Sequence, residues 1–84
     1  MTPIVVPELG EDVATATIVE WKKRPGDRVE RGEVVLVVES DKAAFEIEAE
    51  VSGTLGEILE EAGAEVPVLA TVGYIEESRE PIGD

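Results

Sequence analysis

The chain has 84 residues, no cysteine, no histidine and a formal net charge of −13 at pH 7. This length predicts one domain with a modest core and little room for an enclosed catalytic pocket. The missing residue types exclude disulfides, thiolate metal sites and any Ser-His or Cys-His nucleophile, and the acidic balance argues against nucleic acid and anionic membrane surfaces as partners.

The apolar stretches are short, and none reaches the length of a membrane span. The first ten residues lack the basic region and the long apolar core of a signal peptide. We therefore expect a cytoplasmic protein. A closed β architecture without free edges is one way for so small a chain to be stable.

The N-terminal part of the chain predicts short strands separated by turns. Residues 4–6 are apolar and lie between two prolines, which favours an edge strand. Residues 8–13, Glu-Leu-Gly-Glu-Asp-Val, form a polar loop with a glycine at its centre. The strand predicted from Ala14 to Trp21 ends before Arg-Pro-Gly-Asp at 24–27, a strong turn signal, and a brief strand follows at 28–30.

The central stretch, residues 34–51, predicts two strands joined at a tip that carries Lys42. The residues before the tip are aliphatic, and after it apolar side chains alternate with carboxylates, so one face packs on the core. Ser40 and Asp41 favour a turn between the two strands. Lys42 is the only cation from residue 32 to residue 78. By itself, an exposed lysine at a hairpin tip is ordinary surface chemistry that discourages edge pairing.

The rest of the chain repeats the pattern of the first part with a shift of 37 residues. Residues 16–39 then fall on residues 53–76 with six identities, and the turn glycine Gly26 falls on Gly63. Apolar positions coincide in the same order. We infer two similar halves of about four strands each, a short two-fold repeat.

The repeat also decides how residues 54–62, Thr-Leu-Gly-Glu-Ile-Leu-Glu-Glu-Ala, are interpreted. Their apolar spacing fits an amphipathic helix as well as a strand. The matching residues 17–25 are rich in β-branched side chains and run into Pro-Gly, so we predict a strand in both halves. Because Gly32 falls on Leu69, we expect the later turn to have a different conformation.

The motif Glu39-Ser40-Asp41-Lys42-Ala43, followed by Glu46-Ile47 and Gly53, resembles the lipoyl domain of 2-oxo acid dehydrogenase complexes over nearly the whole chain. The resemblance implies an all-β fold, a flattened barrel or sandwich of two four-stranded antiparallel sheets with quasi-two-fold symmetry (a barrel-sandwich hybrid). The lysine hairpin would lie at one end and both termini at the other. Residues 1–76 would form the domain, and the polar residues 77–84 the start of a linker or a tail. The chain departs from the family at Ser40, where threonine is usual.

The same resemblance implies a lipoyl carrier (swinging-arm) domain that is not an enzyme on its own, with lipoic acid in amide linkage to Lys42. The parent chain would be a dihydrolipoamide acyltransferase. The implied partners are a lipoate-attaching enzyme, a thiamine-dependent 2-oxo acid decarboxylase, the acyltransferase core and dihydrolipoamide dehydrogenase. We expect the isolated domain to be a monomer, in the cytoplasm or, in a eukaryote, the mitochondrial matrix. The residues expected to be recognised by partners are Asp41, Ala43, Glu8, Leu9, Gly10, Glu11, Asp12 and Val13.

Three related carriers or modules are alternatives. A biotin carrier domain shares the fold and the lysine position, and the sequence around its lysine is similar to Ala-Met-Lys-Met. This chain has Ser-Asp-Lys-Ala at that place, and its one methionine is Met1. A glycine-cleavage carrier is longer and has additional helical segments. An unmodified lipoyl-like interaction module, as in membrane-fusion adaptors, is split by a helical hairpin that this sequence lacks.

Overall fold

The computed structural model describes residues 1–77 and contains eight strands and no helix in that range. The strands are β1 (Thr2–Val5), β2 (Thr15–Trp21), β3 (Arg28–Val29), β4 (Val34–Glu39), β5 (Ala44–Glu48), β6 (Gly53–Ile58), β7 (Glu65–Pro67) and β8 (Thr71–Glu77). They form two four-stranded antiparallel sheets, ordered β1-β8-β6-β3 and β5-β4-β2-β7. The predicted class and sheet composition are confirmed. Residues 78–84, the remainder of the predicted tail, lie outside the described residues.

Backbone hydrogen bonds repeat with the 37-residue shift and confirm the quasi-two-fold symmetry. In one half, Gly26 N–H donates to the carbonyl of Leu55 and Leu55 N–H donates to Asp27, both at 2.8 Å. In the other half, Gly63 N–H donates to Ile18, and Ile18 N–H donates to the carbonyl 37 residues beyond Asp27, again at 2.8 Å. Each half therefore bonds to a turn of the other half at the centre of the molecule.

The core lies between the two sheets and is aliphatic. Along and just after β5, Ile47 and Ala49 are buried while the intervening carboxylates are exposed, as the alternating sequence predicts. In β4, Val35 and Leu36 are both fully buried although they are consecutive. The register between β4 and β5 shifts at this point, and such a bulge turns two successive side chains inward. The continuous apolar run in the sequence therefore has a structural cause.

The helix-like segment is a strand in the structure. β6 covers Gly53–Ile58, and its pairing with β8 runs from Gly53 opposite Glu77 to Ile58 opposite Gly73. The indole N–H of Trp21, the residue equivalent to Ile58 in the other half, donates to the carbonyl of Glu60 at 2.8 Å. The predicted strand over residues 54–62 is confirmed for residues 54–58 and is wrong for residues 59–62, which follow the end of β6 and are not in a strand. Within residues 1–77, the structure has no helix that could cross a membrane.

The two sheets do not close into a barrel. Strands β1, β3, β5 and β7 stand at the ends of the two sheet orders, and none of these four pairs with another across the gap. The closed β architecture considered as one possibility from the sequence is therefore not formed in the described residues. The backbone hydrogen bonds at the turns of Gly26 and Gly63 extend the β3–β6 and β2–β7 pairs within each sheet. The first strand lies beside the last, because Thr2 in β1 is opposite Ile75 in β8.

The turn at Leu69 contradicts the expectation from its sequence. Leu69 has φ of 72°, close to the 88° of its counterpart Gly32, although leucine rarely adopts this left-handed backbone. Both residues use their N–H in the same way, with Gly32 donating to Ala49 and Leu69 donating to Val6. The repeated hydrogen bond fixes the conformation, and the Leu69 side chain is 63% exposed, so packing does not oppose it.

We expect Leu69→Gly to raise the free energy of unfolding by about 0.5–1 kcal/mol. The left-handed backbone costs leucine about 1–2 kcal/mol, and the freedom of glycine in the unfolded chain offsets part of the gain. The matched control is Gly32→Leu, which we expect to lower stability by about 0.5–1 kcal/mol, because no atom lies within 4 Å of an added Cβ and the loss of glycine freedom in the unfolded chain offsets part of the backbone cost. Denaturant unfolding of both variants is the measurement. Equal destabilisation of the two would show that the left-handed φ is not costly at Leu69.

Candidate functional site

The lysine turn, Ser40 to Ala43, joins β4 to β5 at one end of the molecule. Ser40 N–H donates to the carbonyl of Ala43 at 2.8 Å, which leaves Asp41 and Lys42 as the two central residues. Positive φ occurs among the described non-glycine residues only at Leu69, so the turn is not one of the I′, II′ or II types that need it. The Lys42 side chain is exposed at the tip. The turn therefore presents one amine to solvent without any glycine.

The hydroxyl of Ser40 makes hydrogen-bonding contacts with the backbone of the turn. Its Oγ accepts a hydrogen bond from the backbone N–H of Lys42 at 3.3 Å, the pattern of an ST-turn. It also lies 3.4 Å from the carbonyl oxygen of Ala43. Threonine carries the same hydroxyl, so the departure from the family at this position preserves the contact. The backbone of the lysine is therefore bonded to the turn, while its side chain projects from it.

The three lysines of the chain differ in what their ammonium groups contact. Lys22 forms an ion pair with Glu20 at 3.2 Å, and Lys23 forms one with Glu33 at 2.8 Å. The hydrogen bond between Lys23 and Glu33 raises the pKa of Lys23, and the same bond lowers the pKa of Glu33. Within residues 1–77, Lys42 makes no ion pair and no side-chain hydrogen bond. Of the three ammonium groups, that of Lys42 is the one without a partner among the described residues.

A cleft beside Lys42 is formed by the turn, the start of β2 and part of the loop at residues 8–13. Its lining includes Asp12, Val13, Glu39, Asp41 and Glu65. The hydroxyl of Thr15 donates to the carboxylate of Glu65 at 2.9 Å across the β2–β7 pair. Four carboxylates and one cation thus line the same cleft.

The structure separates the predicted recognition residues into three groups. Asp12, Val13 and Asp41 line the cleft with Lys42. Leu9 is half-buried and packs against the core, and the loop is closed by a bond from Val13 N–H to the carbonyl of Gly10 at 3.2 Å. The remaining residues are exposed and do not line the cleft: Glu8, Gly10, Glu11 and Ala43.

Sequence reasoning did not find Glu65 or Thr15 as neighbours of the lysine. The structure shows that the pairing repeats, because Arg28 pairs with Thr54 in one half and Glu65 pairs with the equivalent residue, Thr17, in the other. The residue shift alone does not say which strands pair, so the sequence held no signal for this edge of the cleft. Among residues 1–77, no group of three or more carboxylates is arranged to hold a metal ion.

Comparisons with known proteins agree with this geometry. The family model Biotin_lipoyl, described as "Biotin-requiring enzyme", matches residues 2–75. The chain is 47% identical over 77 residues to the dihydrolipoyllysine-residue succinyltransferase component of the 2-oxoglutarate dehydrogenase complex of Bacillus subtilis, covering 92% of this chain and 18% of that protein. The protein of the same name from Escherichia coli K12 is 42% identical over 74 residues, covering 88% of this chain and 18% of that protein. The chain thus spans less than a fifth of the length of these curated relatives.

A solved structure is similar as well. The solution structure of the lipoyl domain of the 2-oxoglutarate dehydrogenase complex from Azotobacter vinelandii has a TM-score of 0.77 and 32% sequence identity. The match covers 94% of this chain and all of that chain. Sequence and fold therefore point to the same family.

Replacing the lysine should leave the stability of the fold nearly unchanged, whereas replacing a buried residue of β4 should lower it. We expect Lys42→Ala to change the free energy of unfolding by less than about 0.5 kcal/mol, as at other exposed sites. Leu36→Ala removes a fully buried side chain and should cost about 2–5 kcal/mol. Thermal and denaturant unfolding of both variants gives the comparison. A comparable loss in both variants would mean that Lys42 contributes to packing and is not held only for presentation.

Proposed function

The chain belongs to the biotin/lipoyl family, and from this we propose that it is a lipoyl carrier domain with lipoic acid in amide linkage to Lys42. The observation that carries the proposal is the contrast among the lysines. Lys22 and Lys23 are held in ion pairs, whereas Lys42 stands exposed at the tip of a hydrogen-bonded turn. A group on a rigid hairpin is placed more accurately than a group on a mobile loop. The free amine fits a covalently attached cofactor.

The domain itself has the chemistry of a carrier. Lys42 lies in solvent, and the apolar pocket that activates a nucleophilic lysine is not present around it in residues 1–77. A separate attaching enzyme must therefore activate the carboxyl group of lipoic acid and accept the proton of the amine. When attached, the dithiolane carries acyl groups and reducing equivalents, and the domain supplies placement.

We extend the proposal to a complex that uses 2-oxoglutarate, because the similar proteins named above are succinyltransferase components and a lipoyl domain of such complexes. The parent chain would be a dihydrolipoyl succinyltransferase. The proposed partners are the thiamine-dependent decarboxylase, the acyltransferase core and dihydrolipoamide dehydrogenase, in the cytoplasm of a bacterial cell. Tethering the lipoyl group to the complex makes its encounters with each active site effectively intramolecular, which raises its local concentration.

Biotin is the second candidate for Lys42, because the family includes biotin carriers. The residues around the lysine are Ser-Asp-Lys-Ala, and the methionines that flank the lysine in sequences of the biotin-carrier type are missing. The solved structure reported above is a lipoyl domain, and the two curated relatives are dihydrolipoyllysine proteins. Both observations favour lipoic acid.

We expect incubation with lipoic acid, ATP and a lipoate–protein ligase to add one lipoyl group, located on Lys42. Intact mass and peptide mapping give the number and position of the adducts. Lys22 and Lys23 serve as internal controls, because they are lysines of the same chain whose ammonium groups form ion pairs. A parallel incubation with biotin and a biotin ligase should leave the mass unchanged. Adducts on Lys22 or Lys23 in Lys42→Ala, or efficient biotinylation, would contradict the assignment.

The position of the lysine in the turn should decide whether the ligase accepts it. One glycine inserted between Ser40 and Asp41 would separate the Ser40 hydroxyl from the Lys42 N–H that it binds and change the two-residue turn. We expect the lipoylation rate to fall at least about tenfold, while the sheets stay folded because one loop residue changes closure entropy little. A ligase time course, with folding verified by NMR amide dispersion, measures this. Modification of the folded insertion variant at the parent rate would show that the ligase does not read the turn geometry.

A further inference from the structure

A groove separates the free edges of β1 and β5, on the flank of the domain that lies outside the lysine cleft. Its floor is apolar and includes Ile4, Ile47 and Ile75. Glu46, Glu48 and Glu50, which follow the lysine turn, line one side of the groove. No lysine or arginine lines it among the residues that the structure describes. The groove therefore combines an apolar floor, a wall of one charge and two unpaired strand edges.

The backbone of β5 has hydrogen-bonding groups directed into this gap. Ala43 and Ala49 bond towards the β4 side, the first accepting from Ser40 and the second donating to Glu33. Backbone direction alternates along a strand, and the β5 side of the pairing has no bulge between these residues. The N–H and C=O groups of Glu46 and Glu48 therefore point away from β4. No strand among residues 1–77 pairs with them.

The opposite edge, β1, is less suited to receive a strand. Pro3 and Pro7 lie in and just after β1 and line the groove, and proline has no N–H to donate to a ladder. An added strand would therefore pair with β5 and pass over β1. Its inward side chains would lie on the isoleucine floor, while its outward side chains would lie on the exposed face of β5.

We propose that the free edge of β5 docks an extended segment of a partner protein in which basic and apolar residues alternate. Glu46, Glu48 and Glu50 occupy alternate positions and are all exposed, so their spacing matches basic side chains at every second residue of a paired strand. Main-chain bonds to β5 give affinity, and the row of carboxylates with the apolar floor gives register and sequence preference. The partner is thus a protein segment of the pattern basic-apolar-basic-apolar.

This docking edge continues directly from the lysine turn, because Ala44 at the start of β5 follows Ala43. A partner held along β5 would therefore fix the direction of the turn relative to itself without covering Lys42. The inference does not rest on lipoylation, and the unmodified 84-residue chain is sufficient to test it. Failure of docking would leave the carrier assignment unaffected, and absence of lipoylation would leave the docking edge unaffected.

The experiment is an NMR titration of the isotope-labelled chain with the peptide acetyl-Lys-Val-Arg-Val-Lys-Val-Arg-amide. We expect shift changes centred on Glu46, Glu48 and β1, and slower amide hydrogen exchange at Glu46 and Glu48. Two control peptides separate the contributions to binding. One has the same composition with all basic residues first, and the other has the same sequence with N-methyl groups on alternate residues. Both should bind at least about tenfold more weakly.

Paired variants separate a docking edge from bulk charge. The triple variant Glu46→Gln, Glu48→Gln, Glu50→Gln should bind the peptide about tenfold more weakly. Its control, Glu11→Gln, Glu57→Gln, Glu61→Gln, removes the same charge at exposed positions away from the groove and should lose less than about twofold. Equal losses, equal binding of the control peptides, or no shifts at β5 would overturn the proposal and leave the carboxylates only as protection against edge pairing. Concentration-dependent shifts at β5 without peptide would also overturn it, in favour of a second copy of the chain.

Discussion

The fold depends on the exchange of backbone hydrogen bonds between its two halves at Ile18 and Leu55. Each of these buried residues donates to and accepts from a turn of the other half. The turns reach them because Gly26 and Gly63 have φ of 97° and 96°, which glycine adopts at little cost. Near these bonds β2 and β6 shift register with their sheet neighbours. These bonds continue the β3–β6 and β2–β7 ladders, so each sheet contains two strands from each half, and β1, β3, β5 and β7 stand at the sheet ends.

The strands were predictable where local pattern and repeat agreed. The alternation after Lys42 identified the buried face of β5, and the shift of 37 residues identified β6 as a strand despite its helical spacing. The backbone at Leu69 was not predictable from residue type, because a hydrogen bond to Val6 over a long sequence separation overrides the preference of leucine. The free edges were not predictable either, since local pattern does not tell whether outer strands meet.

The lysine and its turn were predictable from the sequence, but the residues that line the cleft beside them were not. Lys42 follows from the turn residues and from a family motif, and both are local in sequence. The cleft depends on contacts between residues far apart, such as Thr15 with Glu65 and Asp12 with the lysine turn. Only part of the loop at residues 8–13 reaches it, because Leu9 packs against the core. What distinguishes the three lysines is likewise tertiary, since the Lys23–Glu33 pair joins separate elements.

The two-fold symmetry of the fold raises the question of why the lysine turn has no equivalent in the described part of the other half. The two-fold operation places the lysine turn, between β4 and β5, on the gap between the paired ends of β8 and β1. Two identical half-length chains arranged in this way would form a dimer with equivalent poles, each bearing open strand ends. Fusing the copies in tandem closes one pole with a loop and leaves the other open. Among residues 1–77 a turn of this kind therefore occurs once, because β4 and β5 are consecutive in the chain whereas β8 and β1 are not.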